Sequence, residues 1–371
     1  MPRPDRPARP TAVVRLVRLL HDAGPMNRAE ATTRLGLTRT AVGDAAAWLT
    51  EIGVIAATAA APSGRGRPSP LLGFDDRGPV VAAVHLRPRR ADIAVVGLGA
   101  TVVSRSSVAL PGTTPQAVLK ALAARVSTAV KRCERPLVGV GVGIAGMVRP
   151  GGLVRNAVHF GWDDVPAREL LEQSLPDEVD VRVETDSGLT ALAEHRRGAG
   201  RGPGPVLVLV SEGTGIGGAL VGDEVRVLEP GHLSIDRKGL RCPCGQRGCL
   251  ELYADGRAIA RNAGVPLDHL PHLLARAEAG AARESRAVLT AADHLGTGLA
   301  NLVNVLVPTG VVLTGLLADL HRVGGARIHA QLGHSVVARA DEVAVAVGQV
   351  PQPVLVGAAE LAFEGYLDRP F

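Results

Sequence analysis

The sequence predicts an α/β protein of two lobes preceded by a small helical domain, and three observations carry that expectation. From Pro79 onward, apolar strands alternate with helices over nearly 300 residues, more than one lobe usually holds. Residues 11–58 read instead as three short helices. The charge divides at the same place. Residues 1–74 hold ten Arg, no Lys and five acidic residues, whereas residues 75–371 hold 31 basic and 31 acidic residues. A basic end on a neutral body suits a polyanionic partner, although a solvated tail would carry the same charge.

Composition removes other classes. Hydrophobic residues make up 46% and charged residues 21%, which excludes wholesale disorder. Aromatics are 2%, too few for an RNA-binding sheet that stacks bases on several rings. The apolar stretch from Leu299 to Leu320 is broken by Asn301, Asn304 and Pro308, so no membrane span is expected. The start, Met-Pro-Arg-Pro-Asp, lacks the apolar run of a signal peptide, and the expected location is the cytoplasm.

The first helix is expected from Thr11 to Ala23, with Val14, Leu16, Val17, Leu19 and Leu20 as its apolar face and Gly24-Pro25 as its stop. Asn27 and Glu30 form a capping box for a second helix that ends at Gly36. Thr38 caps a third, with Ala41, Val42, Ala45 and Leu49 inside and Arg39, Thr40, Gly43 and Asp44 outside. A short helix, a tight turn with Gly and a second helix with a polar N-terminal face make the helix-turn-helix pattern, and a small dimerisation bundle has the same spacing. In the DNA reading, Thr38, Arg39 and Thr40 are the contact residues; Arg39 would pair with guanine and Thr40 would bond a base or phosphate. Ile52–Ile55 and Leu71–Phe74 read as the two strands of a wing around Pro62-Ser63-Gly64-Arg65-Gly66-Arg67-Pro68. Arg65 and Arg67 suit an A·T-rich minor groove, and a flexible Gly/Pro linker is the plain alternative.

In the body, strands are expected at Val80–Leu86, Ile93–Leu98, Thr101–Ser104, Leu137–Ile144, Val179–Glu184, Val206–Ser211 and Val311–Thr314. Helices are expected at Gln116–Cys133, Ser187–Arg196, Leu295–Leu306 and Val356–Tyr366.

Three constellations carry chemistry. His232 precedes Cys242-Pro-Cys244-Gly-Gln-Arg-Gly-Cys249, and only Cys133 lies elsewhere. Three thiolates and one imidazole fill a tetrahedral zinc sphere with no open position, so one structural zinc per chain is expected. Three buried reduced cysteines are the alternative, but core packing gives no reason for the clustering. Gly213-Thr214-Gly215-Ile216-Gly217-Gly218 follows the Val206–Ser211 strand. Its amides and the Thr214 hydroxyl can hold a phosphate, and a glycine-rich hairpin turn would read the same. Asp186 sits at a strand end, where α/β proteins place ligand residues; Glu229 and Glu251 flank the cysteine cluster. Converging carboxylates accept sugar hydroxyls, and solvated surface charge is the ordinary alternative.

The stretch Glu229-Pro-Gly-His232-Leu-Ser-Ile-Asp-Arg-Lys-Gly239-Leu-Arg-Cys242-Pro-Cys244-Gly245-Gln-Arg-Gly248-Cys249-Leu-Glu251 resembles the signature of the ROK family, the repressors, open reading frames and sugar kinases. Val140-Gly-Val-Gly-Ile-Ala-Gly146, Thr185-Asp186-Ser187 and the Gly213–Gly218 turn support it over residues 79–371. The front end is similar to the winged helix-turn-helix half of the family's repressors. The resemblance implies two actin-like (ribonuclease-H-like) lobes with a sugar cleft. The expected division is 1–75 for a DNA-binding domain with its basic wing, 76–184 with 353–371 for a first lobe, and 185–352 for a second lobe carrying the zinc loop.

The resemblance also implies site residues. Asp186 matches the family's catalytic base, which here reads as a sugar contact. Thr185 stands where the family carries Asn, and His159 stands for a sugar-contacting Asn before Gly161-Trp162. With Glu229, His232 and Glu251 they form the expected sugar set. The family's kinases hold phosphates on an Asp-x-Gly-Gly-Thr-type loop; the matching stretch here is His85-Leu86-Arg87-Pro88-Arg89-Arg90, which lacks the Asp and the glycines. Thr314-Gly315 stands for a Gly-Gly on the adenosine side. The expectation is a transcriptional regulator of the repressor kind, without kinase activity. It would bind operator DNA and a sugar or sugar phosphate as a homodimer or homotetramer. An active sugar kinase fused to a DNA-binding domain, and a DNA-binding protein with a vestigial cleft, are the alternatives.

Overall fold

Asn27 and Thr38 each have extended backbone and a side-chain oxygen that accepts an N–H three residues on, from Glu30 at 2.9 Å and from Ala41 at 3.2 Å. These two caps start the second and third helices where the sequence places them. The fold of residues 10–58, 69–112 and 114–368 is that of a computed structural model. Arg65 and Arg67 lie outside the described residues. The chain forms two units, residues 1–186 with 354–371, and residues 187–353.

The first unit opens with α1 (Pro10–Ala23), β1 (Met26–Asn27), α2 (Arg28–Leu35), α3 (Arg39–Glu51), β2 (Ile55–Thr58) and β3 (Leu71–Phe74). The strands form a sheet in the order β1-β3-β2, so three helices and a small antiparallel sheet make a winged helix-turn-helix. The α1 core face is Ala12, Val13, Leu16, Val17 and Leu20; Val14 and Leu19 are only half-buried. The first wing strand begins at Ile55, not Ile52, because Ile52 caps α3 and Gly53 turns the chain at φ 73°. The two-residue β1 was not expected, being too short for any periodicity.

A five-stranded sheet follows from β4 (Val80–Arg87), β5 (Arg90–Gly97), β6 (Thr101–Ala109), β7 (Leu137–Ile144) and β11 (Asp180–Thr185), in the order β11-β7-β4-β5-β6. Helix α4 (Pro115–Lys131) covers it with Val118, Leu119, Leu122 and Val126. A side sheet of β8 (Met147–Arg149), β9 (Leu153–Ala157) and β10 (Trp162–Pro166) buries Trp162 and leads through α5 (Ala167–Glu172) into β11. The C-terminal helix, Pro353–Leu367, returns to β7. A Cβ at Gly141 would collide with the Ala358 carbonyl oxygen, and one at Gly139 would lie 2.6 Å from that of Ala362. The alternating glycines of Val138-Gly-Val-Gly therefore let helix and strand backbones touch.

Helix α1 is joined to the C-terminal helix by buried polar groups. His21 Nε2 lies 3.2 Å from Glu360 Oε2, and the Gly99 N–H donates to His21 Nδ1 at 3.0 Å. That backbone donor fixes the imidazole tautomer, with its N–H facing Glu360. Arg18 pairs with Asp368 beside it.

The second unit runs from α6 (Asp186–Arg197, its first residue in the first unit) through β12 (Val206–Ser211), β13 (Gly217–Val221) and β14 (Val225–Leu228) to α7 (Glu251–Ala254), α8 (Gly256–Ala263), α9 (Leu270–Glu278), α10 (Ala282–Leu306), β15 (Gly310–Gly315), α11 (Leu316–Leu332), α12 (Val336–Asp341) and β16 (Ala344–Val347). Its sheet order is β14-β13-β12-β15-β16. In each unit the first three sheet strands pair antiparallel, and the fourth and fifth add parallel beyond the first. This repeated order is the actin-like topology, and both lobes have it. Helix α10 begins at Ala282, well before Leu295, because Ala287, Val288, Ala291 and Ala292 carry its buried face and alanine gives a weak apolar signal. Glu194 is buried, and its carboxylate accepts the N–H groups of Ala199, Gln349 and Val350 at 3.0, 3.1 and 2.9 Å.

Candidate functional site

The cysteine loop is folded by its own backbone. Ile235 N–H donates to Gly248 O at 2.8 Å, Gly248 N–H to Leu240 O at 2.8 Å, and Cys242 N–H to Gln246 O at 2.9 Å. Gly248 has φ 72°, and a Cβ there would collide with the Asp236 carbonyl, so only glycine closes this turn. The closure brings one ligand atom each of His232, Cys242, Cys244 and Cys249 within 4.8 Å of one another. Cys244 Sγ lies 3.6 Å from Cys249 Sγ, and Cys242 Sγ lies 3.8 Å from His232 Nδ1. A zinc tetrahedron with Zn–S of about 2.3 Å and Zn–N of about 2.0 Å has edges of roughly 3.5–3.8 Å, so the donor set fits zinc and these two separations already match its edges. The electrostatics agree. Burial first, then the neighbouring thiols, push the Cys249 thiol up to about 12, and burial pushes Cys242 up. The Gln246 backbone N–H pulls Cys244 down. Three crowded thiols resist ionising together, and a bound dication removes that penalty.

Glu251 opens α7 beside this cluster, with Oε1 3.3 Å from Cys242 Sγ and 3.8 Å from His232 Nδ1. His232 ends a 3-10 turn begun by Pro230, whose preceding residue is the exposed Glu229. That turn is laced to the glycine-rich turn, since Gly231 N–H donates to Ile216 O at 2.9 Å. Glu229, His232, Glu251 and the Gly213–Gly217 turn therefore belong to one neighbourhood of the second unit. Thr185 ends β11 and is buried, Asp186 opens α6, and His159 is exposed in a 3-10 turn before Gly161; these belong to the first unit.

Asp255 is the residue that sequence reasoning missed. It is buried, caps α8 by accepting the Ala258 N–H at 3.0 Å, and accepts the Gly215 N–H at 3.0 Å and Arg257 Nε–H at 2.8 Å. The amide of Gly215, expected to face a phosphate, is held by this carboxylate instead. The cap signal, Asp255-Gly-Arg-Ala ahead of a helix, was present in the sequence. A cavity of about 470 Å³ opens at the C-terminal ends of β12 and β15, lined by Ser211, Gly213, Gly315 and Leu316. Glu212, Glu278, Asp319 and Arg322 also line it, and Arg322 pairs with both Glu278 and Asp319.

In the first unit, the stretch matched to a phosphate loop is a closed hairpin. Arg87 pairs with Arg90, which leaves Pro88 and Arg89 as the turn. Proline fixes its own φ near −65°, and Arg89 has φ 63°, the pattern of a type II turn. Such a turn presents no run of backbone N–H groups. Arg90 and Arg87 lie 3.2 and 3.8 Å from Asp92, and an Arg87 guanidinium nitrogen lies 3.2 Å from His85 Nδ1. Burial, with Arg87 adding to it, pushes the His85 imidazole down to about 4. In the winged helix-turn-helix, Thr38, Arg39 and Thr40 are exposed at the N-terminus of α3, and Ala41, Val42, Ala45 and Leu49 are buried.

The ROK family model matches residues 82–364. This chain belongs to the ROK family. It is 30% identical over 253 residues to a glucokinase of Streptomyces coelicolor, a match covering 61% of this chain and 78% of the other. It is 28% identical over 329 residues to the DNA-binding transcriptional dual regulator NagC of Escherichia coli, covering 82% and 80%. A solved ROK family transcriptional regulator, described as a homolog of the E. coli MLC protein, superposes with a TM-score of 0.78 over 96% of this chain and 97% of its own, at 19% identity, and has the same fold. The ROK match thus spans both actin-like lobes, and the longer regulator match extends into the winged helix. Among the described residues, no helix is long and apolar enough to cross a membrane.

Proposed function

We propose that this ROK chain is a sugar-responsive transcriptional regulator of the repressor type. Residues 1–75 bind operator DNA, and the lobes formed by 76–184 with 353–371 and by 185–352 bind a sugar or sugar phosphate. The observation that carries this reading is the exposed N-terminal face of α3, with Arg39 and Thr40, on the same chain as the His232 and Glu251 neighbourhood. The long match to NagC supports it. His232 Nδ1 and the three cysteines would hold zinc, which would fix the loop and the imidazole and leave Nε2 for a sugar hydroxyl. Glu229, Glu251, Thr185, Asp186 and His159 complete the sugar set. A dimer or tetramer places recognition helices on paired half-sites, and a sugar changes DNA binding by preferring one arrangement, with a coupling of about 1–3 kcal/mol.

The kinase reading is favoured by the glucokinase match and the Gly213–Gly218 turn. Three observations weigh against it. The Pro88-Arg89 turn lacks a phosphate cradle, Asp255 occupies the Gly215 amide, and three carboxylates against one guanidinium line the cavity at β12 and β15. Phosphoryl transfer depends on positioning and neutralised charge, which these features disfavour. A thermal-shift screen against sugars and sugar phosphates, paired with an ATP-consumption assay, tests the proposal. One ligand should stabilise the protein, by about 2.7 kcal/mol at a hundred times Kd, without ATP turnover. Sugar-dependent ATP consumption that Asp186→Asn abolishes would make the chain a kinase.

A further inference from the structure

We propose that the second unit carries a separate site for a small molecule bearing two or more phosphate groups. The site is a cavity of about 580 Å³ lined by Lys238, Arg241, Arg247, Arg261, Tyr253 and His294, with no Asp or Glu among its lining residues. It shares no lining residue with the carboxylate-bearing cavity at β12 and β15.

Cations on a protein surface are ordinarily interspersed with acids. In this same unit Arg257, Arg276, Arg322 and Arg327 each pair with a carboxylate. Among the described residues, Lys238, Arg241, Arg247 and Arg261 make no ion pair, yet all four line one cavity. Asp236, which accepts the Lys238 backbone N–H at 2.9 Å, and Asp293, which pairs with Arg327, both act on His294, but the four cations outnumber them, so the cleft keeps a net positive field that concentrates anions.

Two of the four cations are also held in place. Arg247 donates to Gly239 O at 3.1 Å, and Arg261 donates to Leu252 O at 2.6 Å. Lys238, Arg241 and Arg247 ride on the metal-candidate loop, whereas Arg261 stands on α8. The Tyr253 hydroxyl accepts the Leu240 N–H at 2.8 Å, which leaves its own O–H to donate, and its ring packs on His294 at 4.9 Å. Fixed guanidinium forks lose little freedom on binding and match phosphate oxygens two at a time.

Charge sets the ligand class. With Asp236 set against one of the four cations, a monocarboxylate would still leave most of the positive charge uncompensated, whereas each phosphate monoester brings about −1.5 to −2 near pH 7. Two phosphate groups therefore balance the site. The volume lies within the roughly 300–1,000 Å³ of small-molecule sites.

The test is calorimetric titration of the full-length, zinc-loaded chain with sodium pyrophosphate, and with sodium sulfate at matched ionic strength. One pyrophosphate per chain should bind, sulfate should not compete at equal concentration, and Arg241→Gln/Arg261→Gln should raise Kd by about tenfold or more. Zinc content is measured alongside. If that variant loses zinc, Lys238→Gln/Arg261→Gln, which leaves the neighbours of the cysteines untouched, replaces it. Equal response to sulfate, or unchanged pyrophosphate affinity in the zinc-loaded variant, overturns the proposal. So does a random-sequence DNA duplex that displaces pyrophosphate and itself loses affinity in the variant, since the surface would then be a nucleic-acid contact. None of these outcomes depends on whether a sugar binds at His232 and Glu251.

Discussion

His85 sits in β4, in the stretch that the family resemblance matches to a phosphate loop, and it is buried beside Arg87. Its imidazole is pushed down to about 4, so between its ordinary value near 6.5 and about 4 the unfolded chain takes up a proton that the folded chain refuses. Stability is therefore undiminished above about pH 6.5 and falls as the pH drops toward 4, by about 3 kcal/mol for this one group. Burial also pushes down His195 and His294, in the same direction. Denaturant titrations from pH 7.5 to 4.5 should show a shallower decline for His85→Gln than for the parent; parallel curves would mean that His85 is not the group whose protonation favours unfolding. In α3, Arg39→Ala should cost about 1–3 kcal/mol on the operator and much less on random DNA, measured by fluorescence anisotropy. Equal losses on both would make Arg39 a phosphate contact. The clustering of His232, Cys242, Cys244 and Cys249 was legible residue by residue, because their types and spacing follow from metal-ligand chemistry. Asp255 was not, because its Gly215 partner lies forty positions away and only the folded turn joins them.

Elements separate in the same way. The caps at Asn27 and Thr38 are local, and the second and third helices start where the sequence puts them. Strand β12 and strand β7 are continuous apolar runs, readable because both faces are buried. The early half of α10 and the short β1 were unreadable, one because alanine carries its buried face and the other because two residues have no period. Two element-level outcomes are expected. Protein purified without added zinc should contain near-stoichiometric zinc by metal analysis, and Cys244→Ser should lose it together with ligand binding; a folded, metal-free protein that still binds its ligand would refute the structural role of zinc. His21→Ala should lower the stability of the first unit by about 1–3 kcal/mol in chemical denaturation, because Glu360 and the Gly99 N–H lose a buried partner. A change within a few tenths of a kcal/mol would show that α1 docks by packing alone.

At the scale of the molecule, the division of charge is legible in the sequence alone, with all excess positive charge in residues 1–74. Two lobes are legible there too, but the strand order that both sheets share is not, since register and pairing arise only from tertiary packing. In the proposed function, this ROK body controls DNA binding rather than transferring phosphate. The most direct measurement is selection of duplexes from a randomised pool by the full-length protein at about 0.15 M salt, repeated with the sugar found by thermal shift. The expected result is one enriched sequence with two related half-sites, a steep loss of binding with salt, and affinity for that sequence changed about 5–150-fold by the sugar. Recovery of no sequence above the Arg39→Ala variant, or of a sequence whose affinity no sugar changes while ATP is consumed, would contradict it.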